Sequence, residues 1–358
     1  MGLSDRVECS DLPMELLPTI IKSLETRIDV LQFRSVCNSW RSNCPPFIPA
    51  SPLEFPHPAS WSSSETTPVQ LCESTLYLMQ RLKPSTSDDN KGMLIKVEET
   101  NSSRRRYEPN SLNLMDFRAL ELTKSYMLIC QLSSFSVRHF DKLFPTRGLN
   151  KVVKFPKSAR INVNDSAVFI VYSNGKLGFA KCGDGNMSIV GGRCTYDDVI
   201  VYKGQLYVVD RWGIVWLIRL ELELVPFSQS IDGSDLCSPK YLVESCGALY
   251  VVDKERRSRH GTTPKVYKLN EEELGRWDFV NSLGDRAFVL CNDCCFSISA
   301  EEFSGFKRNC IYFTEQHSHP AWPVFCFGTR VFNLEDGSFE DLANFQHSHP
   351  AWPVTNLF

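Results

Sequence analysis

The chain of 358 residues lacks any long hydrophobic run. Its strongest apolar stretches, Ala167 to Tyr172 and Ile214 to Ile218, fall far short of the roughly 20 residues a membrane-spanning helix requires. No partnership with a membrane is therefore expected. An excess of one charge sign is also missing: 39 Lys and Arg oppose 42 Asp and Glu, for a net charge of -3. No overall positive field then draws the chain to nucleic acid or anionic lipid. Two local basic clusters, Arg104-Arg105-Arg106 and Lys254 to Arg259, read as solvated loops.

Enzyme signatures are absent as well. The chain contains no Gly-x-x-x-x-Gly-Lys-Ser/Thr loop, no Gly-x-Gly-x-x-Gly, no Gly-x-Ser-x-Gly and no His-Glu-x-x-His, the short patterns that carry phosphate, dinucleotide, acyl-transfer and zinc-hydrolase chemistry. Gly183-Asp184-Gly185-Asn186 reads as a hairpin turn. The acidic groups Asp197/Asp198 and Glu271-Glu272-Glu273 read as solvated turns and a short helix start. No catalytic residue, cofactor or metal is assigned. The first fifteen residues carry Asp5, Glu8, Asp11 and Glu15, which does not suit a secretory leader. The 14 cysteines are scattered and read as reduced thiols acting as small hydrophobes. An intracellular protein of the cytoplasm or nucleus is expected.

What the sequence does have is concentrated at its amino end. Asp11 to Arg41 reads DLPMELLPTIIKSLETRIDVLQFRSVCNSWR. Leu12, Leu16, Ile20 and Leu24 recur every four residues, and Leu17 with Ile21 widens the stripe onto one helical face. So large an apolar face on a module of about 30–40 residues calls for a partner to cover it. Thr26 with Asp29 resembles a capping box opening a second helix through about Val36. Asn38 is placed to cap a third helix bearing Trp40. Pro18 forbids an ordinary first helix, which must either start late, near Leu17, or kink.

This segment resembles an F-box, in its Leu12-Pro13 opening, its Glu15-Leu16-Leu17 and its close at Phe33-Arg34-Ser35-Val36-Cys37-Asn38-Ser39-Trp40-Arg41. The resemblance implies three helices that dock a Skp-type adaptor protein and, through it, a cullin and a ubiquitin-transfer machine. The residues it nominates for adaptor contact are Leu12, Pro13, Leu16, Leu17, Ile20, Leu24, Leu31, Val36, Cys37 and Trp40.

Composition then changes. Pro45, Pro46, Pro49, Pro52, Pro56, Pro58 and Pro68, with Ser62-Ser63-Ser64, indicate an extended spacer. Beyond it, short strand patterns take over: Ser74 to Met79, Met93 to Val97, Tyr126 to Leu132, Val168 to Tyr172, Val199 to Tyr202, Gln205 to Val209, Val215 to Leu220, Ala248 to Val252, Val266 to Leu269 and Ala287 to Leu290. Each is rich in β-branched, aromatic or aliphatic residues between turn formers. Asn174-Gly175, Lys203-Gly204 and Cys246-Gly247 suit hairpins with a residue at positive φ. Gly175, Gly204, Gly247 and Gly284 are spaced by 29, 43 and 37 residues, near the length of a four-stranded propeller blade. About six blades would fit. Neither a series of Gly-Gly pairs nor regular Trp-Asp dipeptides is present, and a pair of β-sandwiches or an irregular β-helix are the alternatives.

The sequence thus predicts a multidomain chain: an all-α three-helix module over 8–45, a Pro/Ser-rich linker over 46–68, and a large mainly-β, propeller-like domain over 69–358. Glu244 to Asp253, Trp277 to Leu290, Asn309 to Thr314 and Val331 to Gly337 resemble the C-terminal domain of a large plant family, the Skp-interacting-partner-like F-box proteins. That resemblance implies a kelch-like propeller that captures an unidentified protein substrate for ubiquitylation. The other readings are a ligand-binding or enzymatic propeller without adaptor function, and a decaying F-box paralogue.

Three further features stand out. Gln316 to Val324 (QHSHPAWPV) recurs letter for letter at Gln346 to Val354, so the His317/His319 and His347/His349 pairs read as a doubled surface segment and not a zinc site. Cys291, Cys294 and Cys295 form a C-x-x-C-C cluster without a second Cys-x-x-Cys at finger spacing, and read as buried strand and turn thiols. Tyr207, Trp212 and Trp216 lie at strand spacing and read as core. Substrate contacts are expected on strand-connecting loops.

Overall fold

The computed structural model describes residues 14–24, 27–44, 53–61, 67–82, 93–98, 117–131, 143–146, 148–156, 166–192, 194–234, 236–257, 261–272, 275–291, 293–303, 306–317, 326–341 and 354–355. Three short helices come first: α1 (Leu17–Ser23), α2 (Arg27–Val36) and α3 (Asn38–Asn43), with a 3-10 turn over Met14–Leu16 ahead of α1. Pro18 falls in the first turn of α1, where a backbone N–H has no helical acceptor to lose. The late start is the option taken. Thr26, the expected cap of α2, lies outside the described residues. The cap of α3 is not Asn38 but Cys37, whose backbone is extended and whose Sγ accepts the Trp40 N–H at 3.5 Å. Asn38 is already helical.

The rest is sheet. The first sheet holds β1 (Glu54–Phe55), β2 (Val69–Arg81), β3 (Met93–Glu98), β4 (Phe117–Gln131) and β5 (Leu143–Pro145). Residues 53–61, which composition assigns to the linker, belong here. β1 pairs with β2, Phe55 is buried, and the Tyr172 hydroxyl donates to the Pro58 carbonyl at 2.7 Å. The second sheet is the antiparallel meander β6 (Leu149–Phe155), β7 (Ala167–Tyr172), β8 (Leu177–Lys181) and β9 (Ser188–Val190), joined to the first where Tyr126 pairs with Val152. The third is β10 (Tyr196–Tyr202), β11 (Gln205–Asp210), β12 (Val215–Ile218) and β13 (Leu224–Pro226). The fourth is β14 (Lys240–Ser245), β15 (Ala248–Arg257), β16 (Gly261–Asn270) and β17 (Arg276–Val280).

The fifth departs from the meander. β18 (Arg286–Leu290) lies between β19 (Cys295–Ser299) and a parallel neighbour, β20 (Cys310–His317), followed by β21 (Cys326–Asn333) and β22 (Phe339–Asp341). A short β23 (Val354–Thr355) pairs in parallel with β3. The second copy of the QHSHPAWPV repeat otherwise lies outside the described residues, as does the first copy from position 318 onward.

One strand of each sheet faces the next: β4, β6, β10, β14 and β19 are successive neighbours, and β19 returns to β4. Five groups of strands, the first two continuous in one ten-stranded sheet, therefore succeed one another in a ring among the described residues, where glycine spacing and chain length suggested about six blades. The difference lies in the first sheet, where the 13 residues of β2 and the 15 of β4 use chain that two ordinary blades would share. The seams hold the core. Phe169 and Val171 meet Val199 and Val208; Tyr207 and Val209 meet Leu242 and Val251; Val243 and Val252 meet Phe288 and Ile311. Leu76 and Leu78 of the first sheet meet Val289 and Phe296 of the fifth. Because both faces of most sheets are covered, β7 is buried at all six positions, which is why it reads as an unbroken apolar run.

The turns follow local chemistry. In Lys203-Gly204 the φ values are 47° and 74°, and in Cys246-Gly247 they are 50° and 74°. Two successive positive φ values match the twist of a tight hairpin, and glycine at the second position removes half the steric cost. The basic cluster is strand from Lys254 through Arg257, where β15 pairs with β16, its last residues to Arg259 lying outside the described residues; the Lys254 ammonium stands over the Phe313 ring at 4.9 Å. Among the described residues no helix is long and apolar enough to cross a membrane.

Candidate functional site

Two regions concentrate chemistry or unshared surface: the helical module and the inner edge of the ring. In the module, Leu17, Phe33 and Cys44 are buried, with Ile20, Ile21, Leu24, Val30 and Trp40 packed around them. The Phe33 and Trp40 rings stand 4.5 Å apart. Arg34 fastens α2 to α3 by donating to the carbonyls of Arg41 and Cys44, and the Arg41 Nε donates back to the Arg34 carbonyl at 3.1 Å. On its other side α2 lays Ile28 and Leu31 against Tyr77, Met79, Ile95 and Phe117 of the first sheet.

The apolar stripe of the sequence is thus divided. Leu17 is buried in the module's own core, and half-buried Leu31 packs on the seam with the sheet. Ile20, Leu24 and Trp40 are half-buried around that core, and Val36 and Cys37 are half-buried at the α2–α3 corner. Leu16 is 49% exposed, beside exposed Pro18 and Thr19. Leu12 and Pro13 lie outside the described residues. An open apolar edge remains, narrower than periodicity suggested.

At the inner edge of the ring the structure departs from the expected solvated turn. Asp198 is 2% exposed on β10. The neighbouring Lys151 of β6 places its Nζ 2.6 Å from Asp198 Oδ1, and Asp198 Oδ2 accepts the Leu242 N–H of β14 at 2.8 Å. One carboxylate thereby ties three consecutive inner strands. Burial alone disfavours the Lys151 ammonium, but the adjacent carboxylate outweighs it and holds the lysine above its ordinary pKa. A second buried pair follows: the fully buried Lys240 Nζ lies 3.7 Å from Asp253 Oδ1, which also accepts from the Ser238 hydroxyl at 2.7 Å. Asp210, at the matching position of the third sheet, caps its own turn by accepting the Trp212 and Ile214 N–H groups and the Trp216 indole N–H. Asp210 on β11 and Asp253 on β15 therefore both serve the structure of their sheets.

Asp197 is different. Burial raises its carboxyl to about 6, although it accepts the Lys240 N–H and senses the lysine's charge. An acid whose folded pKa lies above its unfolded value adds stability at low pH. That contribution is complete below about pH 4 and is lost as pH rises through 6. Asp197→Asn is expected to raise stability at pH 7.5 by about 1–3 kcal/mol and to leave it nearly unchanged at pH 4. Urea denaturation at the two pH values measures this; an equal effect at both would refute it.

Of the aromatic trio, Tyr207 is buried between sheets and Trp216 packs on a seam, whereas Trp212 is 46% exposed on the β11–β12 turn. The cysteine cluster sits in the β18–β19 turn. Burial raises the Cys295 thiol, and Cys294 is raised first by its hydrogen bond with Cys291 and then by burial. His317 ends β20, while His319, His347 and His349 lie outside the described residues. Sequence reasoning missed Lys151, Lys240, Asp253 and Lys96. The only signal was a lysine inside an apolar strand, as in Leu149–Phe155, where a charge needs a partner.

Comparison with known proteins places this architecture. Residues 123–333 match the family model of the KIB1-4 beta-propeller, from within β4 to the end of β21. Relatives from Arabidopsis thaliana match over nearly the whole chain. F-box protein At2g26160 is 30% identical over 339 residues, covering 87% of this chain and 96% of that one. F-box protein At4g35733 is 28% identical over 368 residues, 96% of each. F-box protein SKIP23 is 28% identical over 344 residues, 83% of this chain and 81% of its own. With sheets two to four and the fifth through β21 inside the matched span and the helical module ahead of it, the chain belongs to the family of plant F-box proteins that carry a KIB1-4 β-propeller.

Proposed function

We propose that this chain is the substrate-recognition subunit of a Skp-cullin-F-box ubiquitin ligase, working in the cytoplasm or nucleus. The helical module docks a Skp-type adaptor and through it a cullin. The propeller holds a protein target by its strand-connecting loops, among them the turn that exposes Trp212. The chain performs no bond chemistry; it supplies proximity, turning a bimolecular transfer into one within a single assembly.

The observation that carries this reading is the two-sidedness of the module. Ile28 and Leu31 fix it to the first sheet while Leu16 remains 49% exposed at the opening of α1. A module tethered by one face and apolar at another suits a rigid coupling between two partners. Leu12, Pro13, Leu16, Ile20, Leu24, Val36, Cys37 and Trp40 are the proposed adaptor contacts, with Leu17 and Leu31 shaping the surface from within.

The test is co-purification of the full chain with a Skp-type adaptor. Leu16→Arg places a charge in the apolar contact and is expected to weaken binding about 100-fold. Leu220→Arg, at a propeller turn residue 91% exposed, should leave binding intact. Adaptor binding by the Leu16→Arg protein at wild-type strength would overturn the proposal.

A further inference from the structure

Cys291, Asp293 and Cys294 bring two thiol sulfurs and a carboxylate oxygen within 4.8 Å of one another. The turn that gathers them is closed by the Cys291 N–H donating to the Cys294 carbonyl at 2.9 Å, directly beyond the paired Leu290 and Cys295. Tetrahedral zinc, with bonds of about 2.0–2.3 Å, holds its donors some 3.3–3.8 Å apart. The cluster is therefore within about 1.5 Å of that spacing before any ion is bound. Cys295 is excluded as a fourth donor, since its thiol points to the Cys291 carbonyl at 3.7 Å and packs in a different seam.

Charge and position make the case specific. Lys96 of β3 places its Nζ 2.5 Å from Asp293 Oδ2. Two thiolates and a carboxylate carry three negative charges; a divalent cation and the Lys96 ammonium carry three positive ones. A half-buried site balanced in this way avoids the cost of an uncompensated charge. Mixed thiolate and carboxylate donors favour zinc over magnesium or calcium. Lys96 also orients the ligating carboxylate, as partners in the surrounding shell of metal sites do. The site stands where the fifth sheet meets the first, beside Leu76 and Leu78 packed on Val289 and Phe296.

We propose that Cys291, Asp293 and Cys294 bind one Zn2+ that fastens the seam closing the ring, with the fourth position taken by water. The measurement is metal content of the full chain, purified with its adaptor where required and equilibrated with micromolar zinc. One zinc per chain is expected in the wild type and in Cys295→Ser. None is expected in the double variant Cys291→Ser, Cys294→Ser. Should that variant fail to fold, cobalt replaces zinc in the wild type: a sulfur-to-cobalt charge-transfer band lost in Asp293→Asn or on alkylation supports the site. Chelation should lower the melting temperature of the wild type and not of the double variant. Absence of stoichiometric metal in the wild type, retention of it by the double variant, or a mass showing a Cys291–Cys294 disulfide in the reduced preparation would each overturn the proposal.

Discussion

Lys151→Met is expected to destabilise the β-domain by about 3–5 kcal/mol, because it removes one partner of a buried ion pair and strands the other. Asp198 is 2% exposed, and its carboxylate has little water to replace the lysine at 2.6 Å. The remaining donors, the Val199 and Leu242 N–H groups at 2.7 and 2.8 Å, are dipoles and not charges. In a domain of this size such a loss lowers the melting temperature by on the order of 10 °C. Lys151→Met with Asp198→Asn removes both charges while keeping an acceptor for one N–H, and is expected to recover part of the loss. The cycle of single and double variants, followed by thermal or urea unfolding, isolates the pair. A single-variant loss below about 1 kcal/mol would mean that water reaches Asp198 and that the inner strands are not tied through it. The consequence for function is geometric. β6, β10 and β14 set the angles at which their sheets present turns, so loosening them alters the recognition face without touching the helical module.

The sequence was most informative where a feature is local. Lys203-Gly204 and Cys246-Gly247 announce their hairpins because the positive φ they need is a property of two residues. Each of the ten strand patterns falls on an observed strand, Val215 to Leu220 overrunning β12 by two residues and Leu132 lying outside the described residues, since alternation and β-branching are read over a few positions. Pro18 restricted the start of α1 for the same reason. Features made in space were illegible. Asp198 looks like any acidic pair until Lys151, which precedes it by 47 residues, is folded beside it. Phe55 and Pro58 look like linker until Tyr172 covers them. The docking stripe suffered the same fate: helical period shows which residues share a face, but not that Leu31 would be spent on the first sheet. The cap of α3 was misplaced by one residue because Asn outranks Cys in intrinsic preference, whereas the chain direction after α2 left Cys37, not Asn38, in the extended conformation.

Gly275→Ala is expected to be as damaging as loss of the ion pair, by a different mechanism. Gly275 has φ of +71°, and a Cβ there would stand 2.3 Å from the Phe227 carbonyl oxygen and 2.7 Å from the Ser228 Cα. Both obstacles are backbone, so no side chain can rotate away. The left-handed conformation itself costs about 1–2 kcal/mol for a residue with a Cβ, and the overlap adds a shift of one segment against the other. That shift would break the Gln229 N–H bond to the Gly275 carbonyl at 2.9 Å and the Trp277 indole bond to the Gln229 carbonyl, also 2.9 Å. These contacts join the connection after β13 to the start of β17, so they fasten the outer strands of the third and fourth sheets as Asp198 fastens the inner ones. A total of roughly 3–5 kcal/mol follows from strain, overlap and two exposed hydrogen-bonding groups. Gly204→Ala provides the comparison: its φ is +74°, yet nothing lies within 4 Å of the added carbon, so only the conformational cost of about 1–2 kcal/mol applies. Unfolding of the two variants side by side separates close approach from backbone preference. Equal losses would show that the 227–229 segment yields freely, and that this outer contact adds little to the hold of the third and fourth sheets on each other.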